Sequence, residues 1–127
     1  MAMREVLIRA GEVAIRARLR DTPTANRIWQ TLPIYASASR WGDEVYFAAG
    51  VSVEREDEAR DVIEPGEIAF WPDGDAIAIG FGPTPMSRGD EIRLASPCNV
   101  WADALDDVRQ LNSVRAGARI AVIEADS

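Results

Sequence analysis

The stretch EPGEIAFWPDGDAIAIGFGPTP, from Glu64 to Pro85, decides the reading of the fold. Two apolar runs, Glu67 to Trp71 and Asp75 to Phe81, are joined by Pro72-Asp73-Gly74. Turn residues of this kind between segments rich in Ile, Phe and Trp predict a hairpin. Both runs are nearly continuous in apolar residues, as expected of strands that are covered on both faces or that seal a barrel interior. The hairpin leaves through Phe81-Gly82-Pro83-Thr84-Pro85, a rigid, cramped stretch that must sit against something. That something is either a ligand or the chain's own barrel end.

Outward from the hairpin, the chain alternates strands with short turns. Arg4 to Ala10 and Val13 to Arg20 predict two strands around Gly11-Glu12. In the second, Val13, Ile15, Ala17 and Leu19 alternate with Ala14, Arg16, Arg18 and Arg20, which puts one face in a core and the arginines in water. Asp21 or Thr22 caps a helix that Pro23 opens, since proline's missing N–H would have had no helical partner. Ala25, Ile28, Trp29 and Leu32 form its apolar stripe, which must lie on a sheet because so short a helix is marginal alone. Pro33 ends it.

Ile34 to Trp41 and Glu44 to Glu54 predict two further strands around Gly42-Asp43, with Gly50 marking a bulge or bend. The mixed charge run from Glu54 to Asp61 predicts a solvated loop, and Glu64-Pro65-Gly66-Glu67 a turn. Thr84 to Pro97 is turn-rich and predicts a long connection of the kind that often carries function. Cys98 to Leu105 predicts a strand, Asp106 to Asn112 a short helical turn, and Arg119 to Glu124 a last strand. Seven or eight strands with one solid helix imply a closed or half-closed antiparallel barrel, mainly β and a single domain over residues 1–127.

Composition narrows the function classes. The chain has 127 residues, 47% hydrophobic and 28% charged, so it can bury a real core and is not disordered over most of its length. Its 21 acidic and 14 basic residues leave a net charge of −7, which disfavours phosphate backbones and anionic lipid, so neither nucleic acid nor membrane is an expected partner. No run approaches the about 18 to 20 apolar residues of a membrane span, and residues 1–11 lack the apolar core of a secretory signal; a cytoplasmic location is expected. Cys98 is the single cysteine and histidine is absent, so an internal disulfide, a Cys-rich zinc site and nucleophile–imidazole pairs are excluded. No metal and no cofactor is expected, and Cys98 reads as a small buried hydrophobe.

Five blocks in order resemble a known family: Asp21-Thr22-Pro23-Thr24-Ala25, Arg40-Trp41-Gly42-Asp43-Glu44-Val45-Tyr46-Phe47, Pro65-Gly66 with Phe70-Trp71-Pro72, Phe81-Gly82-Pro83-Thr84-Pro85, and Ser96-Pro97-Cys98-Asn99-Val100. The chain is similar in these to the small prokaryotic cyclophilin-like domains of unassigned function. The resemblance implies a closed, eight-stranded barrel with a groove on one face. True cyclophilins isomerise X-Pro bonds with an arginine among aromatic, glutamine and histidine residues; this chain lacks the Phe-His-Arg run, and Arg40 is the residue onto which that catalytic role would pass. Similar barrels also occur in allophanate hydrolase and 5-oxoprolinase subunits, which belong to amide-processing assemblies.

The residues themselves offer two constellations. Arg40 and Trp41 point to opposite faces of a strand, and an Arg40 facing a groove supplies a planar fork for a carboxylate or amide oxygen; its bland alternative is an ion pair with Asp43, Glu44 or Glu67. Phe70, Trp71, Phe81 and Met86 suit an apolar pocket with Thr84 and Asn99 as polar contacts, the alternative being barrel core plus a lid. Asp43-Glu44 and Asp90-Glu91 would make a carboxylate pair only if one residue of each converged. The expected function is binding of a small molecule or short peptide through Arg40, Trp41, Phe70, Trp71, Phe81, Pro83, Thr84 and Asn99. Histidine-free prolyl isomerisation and service as a subunit of an amide-hydrolysing complex stand beside it, and a homodimer is compatible with the sequence.

Overall fold

The computed structural model describes residues 3–125. Among them ten strands form, with one α-helix and one 3₁₀ helix. They are β1 (Glu5–Ala10), β2 (Val13–Leu19), α1 (Pro23–Thr31), β3 (Ile34–Ser37), β4 (Ser39–Arg40), β5 (Glu44–Ala48), β6 (Arg60–Ile63), β7 (Glu67–Trp71), β8 (Ala76–Gly80), β9 (Ile92–Ala104), the 3₁₀ helix Val108–Ser113 and β10 (Arg119–Glu124). Nine strands lie on one hydrogen-bonded path, β3-β10-β1-β2-β9-β7-β8-β5-β4, and β6 pairs β9 off it. All the pairings are antiparallel.

This is a nearly closed barrel of nine strands where a closed one of eight was expected. The difference lies in the segment expected as one strand, Ile34 to Trp41, which breaks at Ala38. β3 bonds β10 on one side of the break and β4 bonds β5 on the other. The two ends of the path are thus halves of one bent segment, and the chain itself bridges the seam. Ala38 holds the bend: its N–H donates to the Ala118 carbonyl (2.8 Å) and its carbonyl accepts from the Gly117 N–H (2.8 Å).

The hairpin of β7 and β8 forms as expected, in the register Phe70 opposite Ile77. So does the alternation of β2, which sends Ile15, Ala17 and Leu19 into the main core. Thr22 is the helix cap, its Oγ1 accepting from the Ala25 N–H (3.0 Å), with Pro23 at the first turn. The stripe of α1 packs on that same core, Ala25 and Ile28 fully buried and Trp29 and Leu32 partly. Among the described residues no helix is long and apolar enough to cross a membrane.

Three expectations need correction. The strand begun at Glu44 stops at Ala48, not Glu54. The charge run is not all loop: β6 starts at Arg60, whose guanidinium lies against the Glu67 carboxylate. β9 starts at Ile92, not Cys98, because Ile92 and Leu94 are buried while Arg93 and Ala95 turn away, the alternation of a strand. Pro97 inside this strand cannot donate to a ladder. β9 accommodates it by changing partners: its first half lies along β6 and its second half between β2 and β7.

Candidate functional site

The strands β5, β8 and β7 are covered on both faces, by different cores. Val45, Phe47, Ile68, Phe70, Ile77 and Ile79 turn into the barrel and join the main core. The residues between them, Glu44 and Tyr46 on β5, Ala78 on β8, and Ala69 and Trp71 on β7, turn outward, as strand geometry requires. A second apolar cluster, formed by Ile63, Ala69, Ile92, Leu94, Cys98 and Val100 with Trp71 against it, lies on this outer face.

β8 carries only small residues outward: Ala76, Ala78 and Gly80. At Gly80 this lets the start of β9 press onto the sheet, since an added Cβ would stand 2.4 Å from the Cγ2 of Ile92. Over Ala78 the cover is incomplete. A cleft of about 220 Å³ opens there, between Trp41, Tyr46 and Trp71, with Leu94, Ala95 and Cys98 of β9 along one side and Glu44 in its lining.

The walls of the cleft are fixed by their neighbours. The Trp71 indole N–H donates to Ser96 Oγ (2.7 Å), whose hydroxyl in turn donates to Asp73 Oδ2 (3.0 Å), so the ring has its polar handle satisfied and its orientation set. Gly74 lies under the same ring, where an added Cβ would meet Trp71 Cζ3 at 2.3 Å. Trp41 is held by the turn into β5, its N–H donating to the Glu44 carbonyl (3.0 Å). That turn depends on Gly42, which has φ +60° and lies so close to the Pro83–Pro85 stretch that a Cβ would stand 2.9 Å from Pro85 Cδ.

Glu44 is the unusual member. It is 6% exposed, and its Oε1 is buried with no hydrogen-bond partner. Burial pushes its carboxyl from the ordinary 4.5 up to about 7, so near neutrality its protonated and ionised forms are both populated. No arginine or lysine lines the cleft with it. Cys98 is a bystander: burial first, then the Glu44 charge, raise its thiol to about 12, and its S–H donates to the Ser96 carbonyl (3.3 Å). A thiol so raised is not a nucleophile at neutral pH.

Of the expected lining, the structure brings Trp41 and Trp71 together and distributes the rest. Phe70 is fully buried on the inward face, in the main core. Phe81 is half-buried against that core, with the Arg40 guanidinium 5.1 Å from its ring centroid. Arg40 itself donates to the carbonyls of Gly42 (3.0 Å), Asn112 (3.2 Å) and Val114 (2.7 Å), and approaches Asp43 at 3.9 Å. It staples the β4–β5 turn to the end of the 3₁₀ helix and does not line the cleft. The Pro83 carbonyl accepts from the Asp43 N–H (3.0 Å), and Thr84 Oγ1 donates to the Arg93 carbonyl, so both close the connection after β8.

Asn99 is spent inside the fold. Its Nδ2 donates to Thr24 Oγ1 (3.0 Å) and the Glu54 carbonyl (2.9 Å), and its Oδ1 accepts from the Glu56 N–H (2.8 Å). The convergence of Asp43-Glu44 with Asp90-Glu91 that a carboxylate pair would need does not occur: Glu91 accepts from Arg93 Nε (3.0 Å) and the Arg88 N–H (2.8 Å). Tyr46, Ala78, Leu94, Ala95 and Cys98 were not among the expected lining. The small–large alternation Ala76-Ile77-Ala78-Ile79-Gly80 was the sequence signal for them, since it leaves one face of a central strand short of volume.

A second, polar cleft of about 330 Å³ lies near Arg20, Thr22, Glu56 and Arg60, and its two arginines and Glu56 already have partners. Arg20 pairs with Asp103 (2.7 Å) and Glu67 (2.9 Å), and Arg60 also clasps Glu67. Burial alone would raise the Glu67 carboxyl, but hydrogen bonds from Arg60, the Glu64 N–H and Arg20 outweigh it and bring the group down to about 2. Glu56 accepts from the Thr24 N–H (3.0 Å) at the start of α1. Among the described residues no three of Cys, Asp and Glu are grouped so as to hold a metal ion.

Comparison with known proteins places this architecture. The sequence profile described as cyclophilin-like matches residues 4–123. The solution structure of a hypothetical protein from Archaeoglobus fulgidus is 36% identical to this chain, with a TM-score of 0.83 over 97% of this chain and 95% of that one. McbB, solved in complex with tryptophan, shares the fold at a TM-score of 0.72 and 15% identity, over 96% of this chain and 45% of that one. This chain therefore matches less than half the length of McbB. Among curated proteins nothing matches it.

Proposed function

The chain belongs to the cyclophilin-like family, and from that premise we propose that it is a binding domain taking a small molecule into the cleft between Trp41, Tyr46 and Trp71. The observation that carries this reading is the buried carboxyl group of Glu44, its Oε1 without a hydrogen-bond partner, in the lining of an otherwise apolar cleft. A guest bearing a hydrogen-bond donor bonds this carboxyl group, which no basic side chain of the lining does. Pockets with aromatic walls and one or two convergent polar groups are the usual form of a small-ligand site.

The volume limits the guest. A dry cavity of about 150 Å³ accommodates benzene, so the 220 Å³ here suits one ring with a short arm. A peptide would enter by a single side chain. Prolyl isomerisation has less support, because the donors of Arg40, on which that chemistry would rest, are engaged by three backbone carbonyls.

The test is a ligand-observed NMR screen of single-ring compounds against the native chain and Ala78→Leu, which fills the floor of the cleft. Binders of the native chain should be lost in the variant, with its β-sheet circular dichroism unchanged. Equal binding to both would place the site elsewhere.

A further inference from the structure

The geometry points to a small organic cation as the guest: a protonated amine on an aromatic or compact apolar body, its N–H donated to Glu44 and its charge set among Trp41, Tyr46 and Trp71. The inference rests on the small-molecule reading above and adds the chemical class.

Three features of the cleft select that class. It holds one carboxyl group and no basic side chain, so an anion entering it meets an acid and no counter-charge. Of the arginines on the adjoining strands, Arg40 is engaged by carbonyls and Arg93 by Glu91 (3.0 Å) and Asp61 (2.9 Å); outside the lining, the Arg55 charge reaches Cys98. Three electron-rich ring systems line the cleft with the acid, and such rings attract a cation placed over their faces, most when the site is dry. A neutral alcohol or amide would bond the carboxyl group but gain no charge attraction from the rings. Burying an ion pair alone roughly breaks even against its desolvation; the ring contribution tips the balance toward the ammonium.

Proton linkage gives the inference a signature. The ionisable groups sharing the cleft with Glu44 are Tyr46 on its own strand and Cys98 on β9, while β7 and β8 contribute none. Glu44 therefore titrates alone in the range around pH 7, where burial has placed it. Below that range a cationic guest must displace a proton from the carboxyl, and its affinity falls by about tenfold per pH unit. A neutral guest shows no such fall.

Isothermal titration of the full chain with benzylammonium, benzyl alcohol and benzoate, at pH 8 and pH 6, decides the matter. Benzylammonium should bind at least about tenfold tighter than the other two at pH 8, and lose about tenfold of its affinity between pH 8 and pH 6. Glu44→Gln should erase the preference of the amine over the alcohol. Alcohol or benzoate binding as tightly as the amine to the native chain at pH 8 overturns the cation assignment and leaves the small-molecule reading standing. Binding of none of the three overturns both. The native chain alone separates these outcomes, so the result does not depend on how well the variant folds.

Discussion

Replacing Glu44 by glutamine should make the protein more stable at pH 8 and leave it little changed at pH 5. In the unfolded chain this carboxyl ionises near 4.5; in the folded protein burial delays ionisation to about 7. The folded state thus binds more protons between those values, and stability from this group falls as pH rises through them. At about 1.4 kcal/mol for each tenfold change in proton affinity, the full displacement is about 3 kcal/mol, all of it lost by pH 8. Glutamine keeps the shape and carries no charge, so its own desolvation is the same at both pH values. The difference between variant and native stability should therefore grow by about 3 kcal/mol from pH 5 to pH 8, an upper figure if water reaches the carboxylate. For a chain of this size that is roughly 10 °C in melting temperature. Thermal melts of both proteins at half-unit steps from pH 5 to pH 8 read the effect directly. Parallel curves over that range would refute the reasoning, since they would mean that Glu44 ionises in the folded protein as it does in water.

Glu67 should act at the other end of the scale: held down to about 2 by Arg60, Glu64 N–H and Arg20, it contributes stability above pH 4.5 that is lost as pH falls toward 2. Melts of the native chain extended from pH 5 down to pH 2 will show that loss. Arg40→Ala should cost about 2–3 kcal/mol in urea unfolding, because the carbonyls of Asn112 and Val114 lose a charged donor, and should leave any cleft ligand's affinity unchanged. Asn99→Ala should cost about 2–4 kcal/mol and expose residues 50–59 to limited proteolysis, since the Glu54 carbonyl and the Glu56 N–H lose their shared partner. An Asn99 variant with native resistance to cleavage would contradict the tether.

Much of the wall was legible before any coordinates. The alternation in Val13 to Leu19, the Thr22-Pro23 helix start, the stripe of α1 and the Pro72-Asp73-Gly74 hairpin are local patterns, and local patterns report which residues share a face. The near-continuous apolar runs of β7 and β8 also implied cover on both sides. Even the cleft left a trace, in the small residues that alternate with isoleucine along β8 and in the acid at position 44.

What closed the barrel and opened the cleft was decided by distant partners. The break at Ala38 follows from the pull of β10 on one half of a segment and β5 on the other. β6 exists because Arg60 meets Glu67 and lies along β9, and the start of β9 survives a proline by changing neighbours. Arg40, Phe70 and Asn99 had the chemistry of ligand contacts, but the fold consumed their donors and faces internally. Periodicity separates the two faces of a strand but not the inside from the outside of a wall apolar on both. Only the closure of the sheet makes that choice, and it turned Phe47, Phe70 and Ile77 inward and left Glu44, Tyr46 and Trp71 around an outer cleft.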